Sequence, residues 1–170
     1  FPTRRSSDLG WRRGQSVIIN PYIACGICHA CRRGKPNCCT RIEVLGVHRK
    51  LHMPLDEGRF TTPGRELRAF DTPVGRIGML ICYDKAFPEA ARTLALDGAD
   101  VLCFLSAWPC SATNAAERLE DDRQWRRAEL WDRARAAENS MVVASANQTG
   151  SFGALRFLGG SRSEERRVGK

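Results

Sequence analysis

Eight cysteines stand in a chain of 170 residues, and their spacing separates two kinds of chemistry. Cys25, Cys28, Cys31 and Cys39 follow a C-x2-C-x2-C-x7-C pattern within CGICHACRRGKPNCC. Thiolates this close in sequence can surround one tetrahedral zinc, and four of them fill its coordination sphere, so such a site holds loops and leaves no open position for substrate. Disulfides would require an oxidising compartment that nothing in the sequence indicates, and a redox C-x-x-C is expected inside a strand-helix unit. A structural zinc is therefore the expected occupant. Cys38 adjoins the fourth ligand and could compete with it, but the spacing favours Cys39.

Cys82 is placed differently. RIGMLICYD reads as a buried strand and FPEAARTLALDGAD as a helix, with Pro88 suited to its first turn and Glu89 to the positive end of its dipole. Cys82 falls where the strand gives way to that helix. A thiol near a helix N-terminus has its thiolate favoured, so its pKa is expected to fall and its nucleophilicity to become usable. The competing reading is a small buried apolar residue.

The elements that must position it continue as VLCFLSAW, a second strand, residues 114–139, a long amphipathic helix, and SMVVASANQ, a third strand. This alternation predicts an α/β fold. Leu119, Trp125, Leu130, Trp131 and Ala134 form the expected packing stripe of the long helix. Cys103 is expected to be packed inside its strand, and Cys110 to be an incidental loop thiol.

The formal charge is +8, with 42% hydrophobic and 27% charged residues, a composition that fits a soluble globular domain. No apolar run approaches the ~20 residues that cross a bilayer, and the start of the chain lacks the apolar stretch of a secretory signal. A cytoplasmic location and no membrane partner are expected. A nucleic-acid partner is not expected either, because no stripe of interleaved aromatic and basic residues accompanies the charge. FPTRRSSDL and RSEERRVGK can be encoded by complementary strands of one short DNA, the arrangement a sequencing adapter at both ends would leave. Residues 1–9 and 162–170 are accordingly expected to be adapter-like tails outside the fold.

HRKLHMP, DEGRFTTPG, FDTPVGRIGMLICYDKAFPE, SAWP and RARAAENSMVVASANQTG, in this order, resemble the carbon–nitrogen hydrolase (nitrilase) superfamily from about His48 to Arg162. The resemblance implies an α-β-β-α sandwich and a Glu-Lys-Cys triad. It further implies hydrolysis of a small amide or nitrile through a thioester with no cofactor, and a parent enzyme that forms homo-oligomers. Cys82 matches the nucleophile, Lys50 the catalytic lysine, and Glu57 a second, assisting glutamate. Tyr83, Trp108 and Asn147 would line the acyl pocket, with core packing for Trp108 and loop capping for Asn147 as the alternatives. Ala86 stands where members often carry Arg. The family's general base is a glutamate on an earlier strand, whereas Glu43 is the only glutamate before Lys50 here and nothing assigns it that role.

Residues 10–49 resemble the structural-zinc lobe of zinc-dependent medium-chain alcohol and polyol dehydrogenases. That family also uses a catalytic zinc and a nicotinamide cofactor, for which the chain offers neither ligands nor a GxGxxG fingerprint. The expected organisation is thus a chimera: tail 1–9, zinc segment 10–49, truncated hydrolase domain 50–161 and tail 162–170. It is expected to be inactive for want of the base, with an open sheet edge and an exposed apolar face. The alternatives are a dehydrogenase fragment and a small basic zinc-binding module.

Overall fold

A computed structural model describes residues 22–35, 38–41 and 43–165; the expected tail 1–9 lies outside these residues, as do residues 166–170. A short ribbon pairs β1 (Tyr22–Ile23) with β2 (Glu43–Val44), and between them lies the four-residue helix α1 (His29–Arg32). The main sheet is mixed. β3 (Ala69–Thr72) runs antiparallel to β4 (Gly75–Ile81), which pairs in parallel with β5 (Val101–Ser106) and through it with β6 (Val142–Asn147). β9 (Arg162–Glu164) closes the order β3-β4-β5-β6-β9 on the antiparallel side of β6. A small hairpin, β7 (Ser151–Phe152) and β8 (Leu155–Arg156), lies between β6 and β9 in sequence.

The parallel strands are joined through α2 (Pro88–Leu96) and α3 (Arg123–Asn139). Leu80, Leu102, Phe104 and Val143 project on one face and meet Ala90, Ala91 and Leu94 of α2 and Ala136 of α3. At Gly78 a Cβ would sit 3.0 Å from Leu94 Cδ1, so the missing side chain lets α2 approach β4. The alternate residues Val101, Cys103, Val142 and Ala144 form a second cluster, as the two-residue period of a strand requires. They are buried, so the expected apolar exposure of this face does not occur at these positions. The expected α/β class is the observed one. Among the described residues no helix is long and apolar enough to cross a membrane.

Two sequence-based expectations are corrected. The long helix does not begin at residue 114: Asn114 adopts a left-handed φ of 57°, Leu119–Asp121 form a 3-10 turn, and α3 starts after Asp122. The cause is the Asp122 carboxylate, which accepts from Gln124 N at 2.8 Å, Ser111 Oγ at 2.9 Å, and the Ser111 and Ala116 amides, turning the preceding loop back onto the helix start. Leu119 therefore lies outside α3, though it packs with Trp125 and Trp131 as expected, whereas Leu130 is 64% exposed and the helix also buries Asp132 and Arg135. The second correction concerns the chain end. Residues 162–164, expected to lie outside the fold, are its edge strand, and Arg162 sits 5.0 Å over the Trp125 ring and 3.5 Å from Glu129.

Asp122→Ala removes the cap and strands the Ser111 hydroxyl and amide in a buried site. We expect a loss of about 2–4 kcal/mol, read as a lower urea midpoint at unchanged slope.

Candidate active site

β4 ends at Ile81, and the chain turns at once into a 3-10 segment, Cys82–Ala86. Cys82 itself holds a left-handed φ of 49°, a conformation that costs a non-glycine residue about 1–3 kcal/mol and persists only where neighbours dictate it. One dictating group is Asp84, whose side chain is fully buried. Its carboxylate accepts from Ile81 N at 3.0 Å, fastening the turn to its own strand. It also accepts from Leu51 N at 3.1 Å, His52 N at 2.8 Å and His52 Nδ1 at 2.9 Å, with His48 Nε2 at 3.5 Å. The residues on both sides of Lys50 are thus pinned to the turn that carries Cys82. Gly64 N donates to Lys50 O at 2.8 Å from the other side, where a Cβ on Gly64 would collide with the Arg49 backbone.

Lys50 Nζ, largely buried, forms an ion pair and hydrogen bond with the Glu57 carboxylate, which the 3-10 turn Glu57–Arg59 presents. The electrostatics join this pair to the thiol. Burial pushes the Cys82 thiol above its ordinary value; the Lys50 charge and a backbone hydrogen bond with Ala107 pull it down, and Glu57 pushes it up again. The expected fall in pKa is therefore corrected: the turn is followed by helix, but desolvation outweighs the stabilising charges. Asp84 moves the other way. Burial alone would raise it, but the hydrogen bonds from His48, His52 and Ile81 overcome that and hold it below the usual carboxylate range.

Cys82 and Tyr83 pack against a cluster centred on Trp108, Cys110 and Leu158. Tyr83 lies edge-on to Phe87 at 5.5 Å and tilted to Trp108 at 6.4 Å. Trp108 is itself buried and meets Trp131 edge-to-face, so its ring serves as a wall of the cluster. Asn147 spends its amide on the backbone: Oδ1 accepts from Trp108 N at 2.8 Å and Nδ2 donates to Gly159 O at 2.9 Å. That brackets the loops after β5 and β6. Cys103 is buried in its strand, which pushes its thiol to about 12, and Cys110 is buried as well.

The four spaced cysteines also converge. The sulfurs of Cys25, Cys28, Cys31 and Cys39 all lie within 4.8 Å of one another. Cys28 Sγ is 3.5 Å from Cys31 Sγ and 3.9 Å from Cys39 Sγ, against about 3.8 Å for two thiolates on one tetrahedral zinc with bonds of about 2.3 Å. The amides of Cys25 and Arg41 each donate to Cys39 Sγ at 3.3 Å, the backbone support a thiolate ligand requires. Backbone hydrogen bonds at Cys31 and Thr40 lower Cys28 to about 5, whereas burial raises Cys31 to about 12. Cys38 is exposed and stands outside the cluster.

Sequence reasoning missed Asp84, His48 and His52 as the frame of the site, although the D of CYD and the two histidines flanking Lys50 were in view. It also missed Lys85, Asp132 and Arg135, buried charges that no periodicity could pair.

The family model for carbon–nitrogen hydrolases matches residues 35–164, beginning inside the segment that the cysteine spacing set apart. Probable nitrilase C965.09 of Schizosaccharomyces pombe is 38% identical over 117 residues, which cover 69% of this chain and 39% of that protein. The crystal structure of a carbon-nitrogen hydrolase from Helicobacter pylori G27 superposes with a TM-score of 0.65 at 31% identity, covering 71% of this chain and 44% of that one. The amidase from Nesterenkonia sp. AN1 superposes with a TM-score of 0.59 at 28% identity, again over 71% and 44%; it is a glutamate-to-glutamine mutant showing the result of Michael addition of acrylamide at the active site cysteine. The chain thus spans about two fifths of the length of these relatives.

Because Asp84 is held below the usual carboxylate range, its contribution to stability is present above the unfolded-state pKa and is lost as pH falls through the depressed folded value. Asp84→Asn should flatten the acid limb of a stability-versus-pH curve and lower stability at neutral pH, measured by urea unfolding from pH 7 downward.

Proposed function

The chain belongs to the carbon–nitrogen hydrolase family, and from that premise we propose that its site performs cysteine-dependent acyl chemistry on small amides or nitriles. The observation that carries this reading is the Asp84-held approach of the Lys50 segment to the Cys82 turn. Cys82 thiolate, its proton given up to solvent, attacks the amide carbon; the Lys50 ammonium, steadied by Glu57, stabilises the charge that develops on oxygen and passes a proton to the nitrogen as the C–N bond breaks, regaining one from solvent, and the amine leaves with a thioester behind it. Hydrolysis of that thioester needs a base to take a proton from water. Glu57 is committed to Lys50, and Glu43 belongs to β2, paired at Ile23. We therefore propose that this chain's cysteine reacts but does not turn over.

The printed description of the Nesterenkonia mutant suggests the probe. With acrylamide, peptide mapping should find an adduct on Cys82 that is absent in Cys82→Ala, and propionamide should release no more than one equivalent of ammonia per site. Absence of the adduct would remove Cys82 as nucleophile, and ammonia release well beyond one equivalent, abolished by Cys82→Ala, would overturn the inactivity. Because Cys82 lies above the ordinary thiol range, adduct formation should still be climbing where an ordinary thiol has levelled off.

We also infer that Cys25, Cys28, Cys31 and Cys39 hold a structural zinc. The sulfur spacing supports it. Protein purified without chelator should retain zinc in equimolar amount, and Cys39→Ser should lose it. Metal-free protein whose four thiols titrate freely in zinc solution would refute the site.

A further inference from the structure

The turn that carries the nucleophile is gripped a second time, from beneath, by charges that the acyl chemistry does not use. Lys85 stands three residues after Cys82 in the same 3-10 segment and is 3% exposed. Its Nζ lies 2.7 Å from Asp132 Oδ1 of α3 and donates to Ser145 Oγ of β6 at 2.8 Å, 4.8 Å above the Phe104 ring. Its carbonyl accepts from Arg135 Nε at 3.2 Å and Nη2 at 3.0 Å. The segment is thereby fixed to α3 by both its side chain and its backbone, and to β6 by the side chain.

A buried ion pair is weak evidence for stability, since an apolar pair of similar volume often serves the fold as well or better. A left-handed nucleophile turn, by contrast, must be over-determined to persist. We propose that Lys85, held by Asp132 and Ser145, is a positioning residue of the active site: it locks the Cys82 turn and supplies a second positive charge, alongside Lys50, that favours the thiolate. The inference rests on Cys82 being the nucleophile.

The surroundings agree with this assignment. Lys50 and Glu57 act on the thiol, Asp84 with His48 and His52 anchors the same turn from the preceding segment, and Asp132, Arg135 and Arg162 meet or act on Lys85 from α3 and β9. After Lys50, Lys85 is the cation that draws the Cys82 thiol down, and reciprocally Cys82 draws Lys85 up. Burial lowers Lys85 and raises Asp132, and each charge opposes that shift in the other.

The test is the pH profile of Cys82 alkylation by acrylamide, read peptide by peptide so that turnover is not required, beside the melting temperature of the same samples. Lys85→Met/Asp132→Leu replaces the pair with apolar groups of similar size. We expect melting unchanged or raised, and the profile displaced to higher pH, so that alkylation at neutral pH falls about three- to tenfold; a thiol one pKa unit higher carries a tenth of the thiolate, partly offset by its greater intrinsic nucleophilicity. Asp132→Asn removes the counter-charge that opposes the effect of burial on Lys85, so it too should displace the profile to higher pH. Loosening of the fold would lower melting as well, so a displaced profile at unchanged or raised melting in the apolar pair distinguishes positioning from structure. Profiles that match wild type, or that move only together with a lowered melting temperature, overturn the proposal while leaving Cys82 as nucleophile. A wild-type Cys82 no more reactive than Cys103 takes down both readings.

Discussion

The carboxylate of Asp84 is the point on which the site depends. It is a buried anion satisfied, among the described residues, by three backbone amides and two histidine rings. Burying an ion in this way is costly unless its lone pairs are filled. Here the groups that fill them come from two stretches of chain thirty residues apart, at Leu51 and Ile81. Satisfying the charge and assembling the site are therefore the same event, because Lys50 cannot be delivered without the amide that follows it.

The thiol illustrates an opposing demand. The pocket that excludes water from Cys82 also disfavours its thiolate, and Lys50 only partly restores it. Any reaction proposed for this thiol must therefore draw on charges that the fold has already oriented around it. Backbone geometry follows the same economy: Cys82 tolerates a left-handed φ because the residues after it are bound on every side.

Much of this was legible in the sequence, and the reasons are physical. β4, β5 and β6 announce themselves as continuous apolar runs because parallel strands are covered on both faces. Cys82, Lys50 and Glu57 sit in wording specific enough to be matched, and the four-cysteine spacing describes a shape that the sulfurs then take. Three things were hidden. The helix start at Arg123 depends on Asp122 reaching Ser111, a contact across a loop that no window of local pattern contains. The thiol's pKa depends on how deeply the fold buries it, which position beside a helix does not reveal. Residues 162–164 read as a charged tail because an edge strand needs only backbone pairing on one side and can be polar throughout.

The strand order bears on how the chain reaches this state. Val101 pairs with Ile77 on one side and Val142 on the other, so the centre of the sheet has no hairpin from which to nucleate. Each parallel pairing must first close a loop of some two dozen residues or more, at an entropic cost that is met before any contact rewards it. Assembly of the molecule is consequently expected to be slow, with its most apolar strands uncovered for longest while it proceeds.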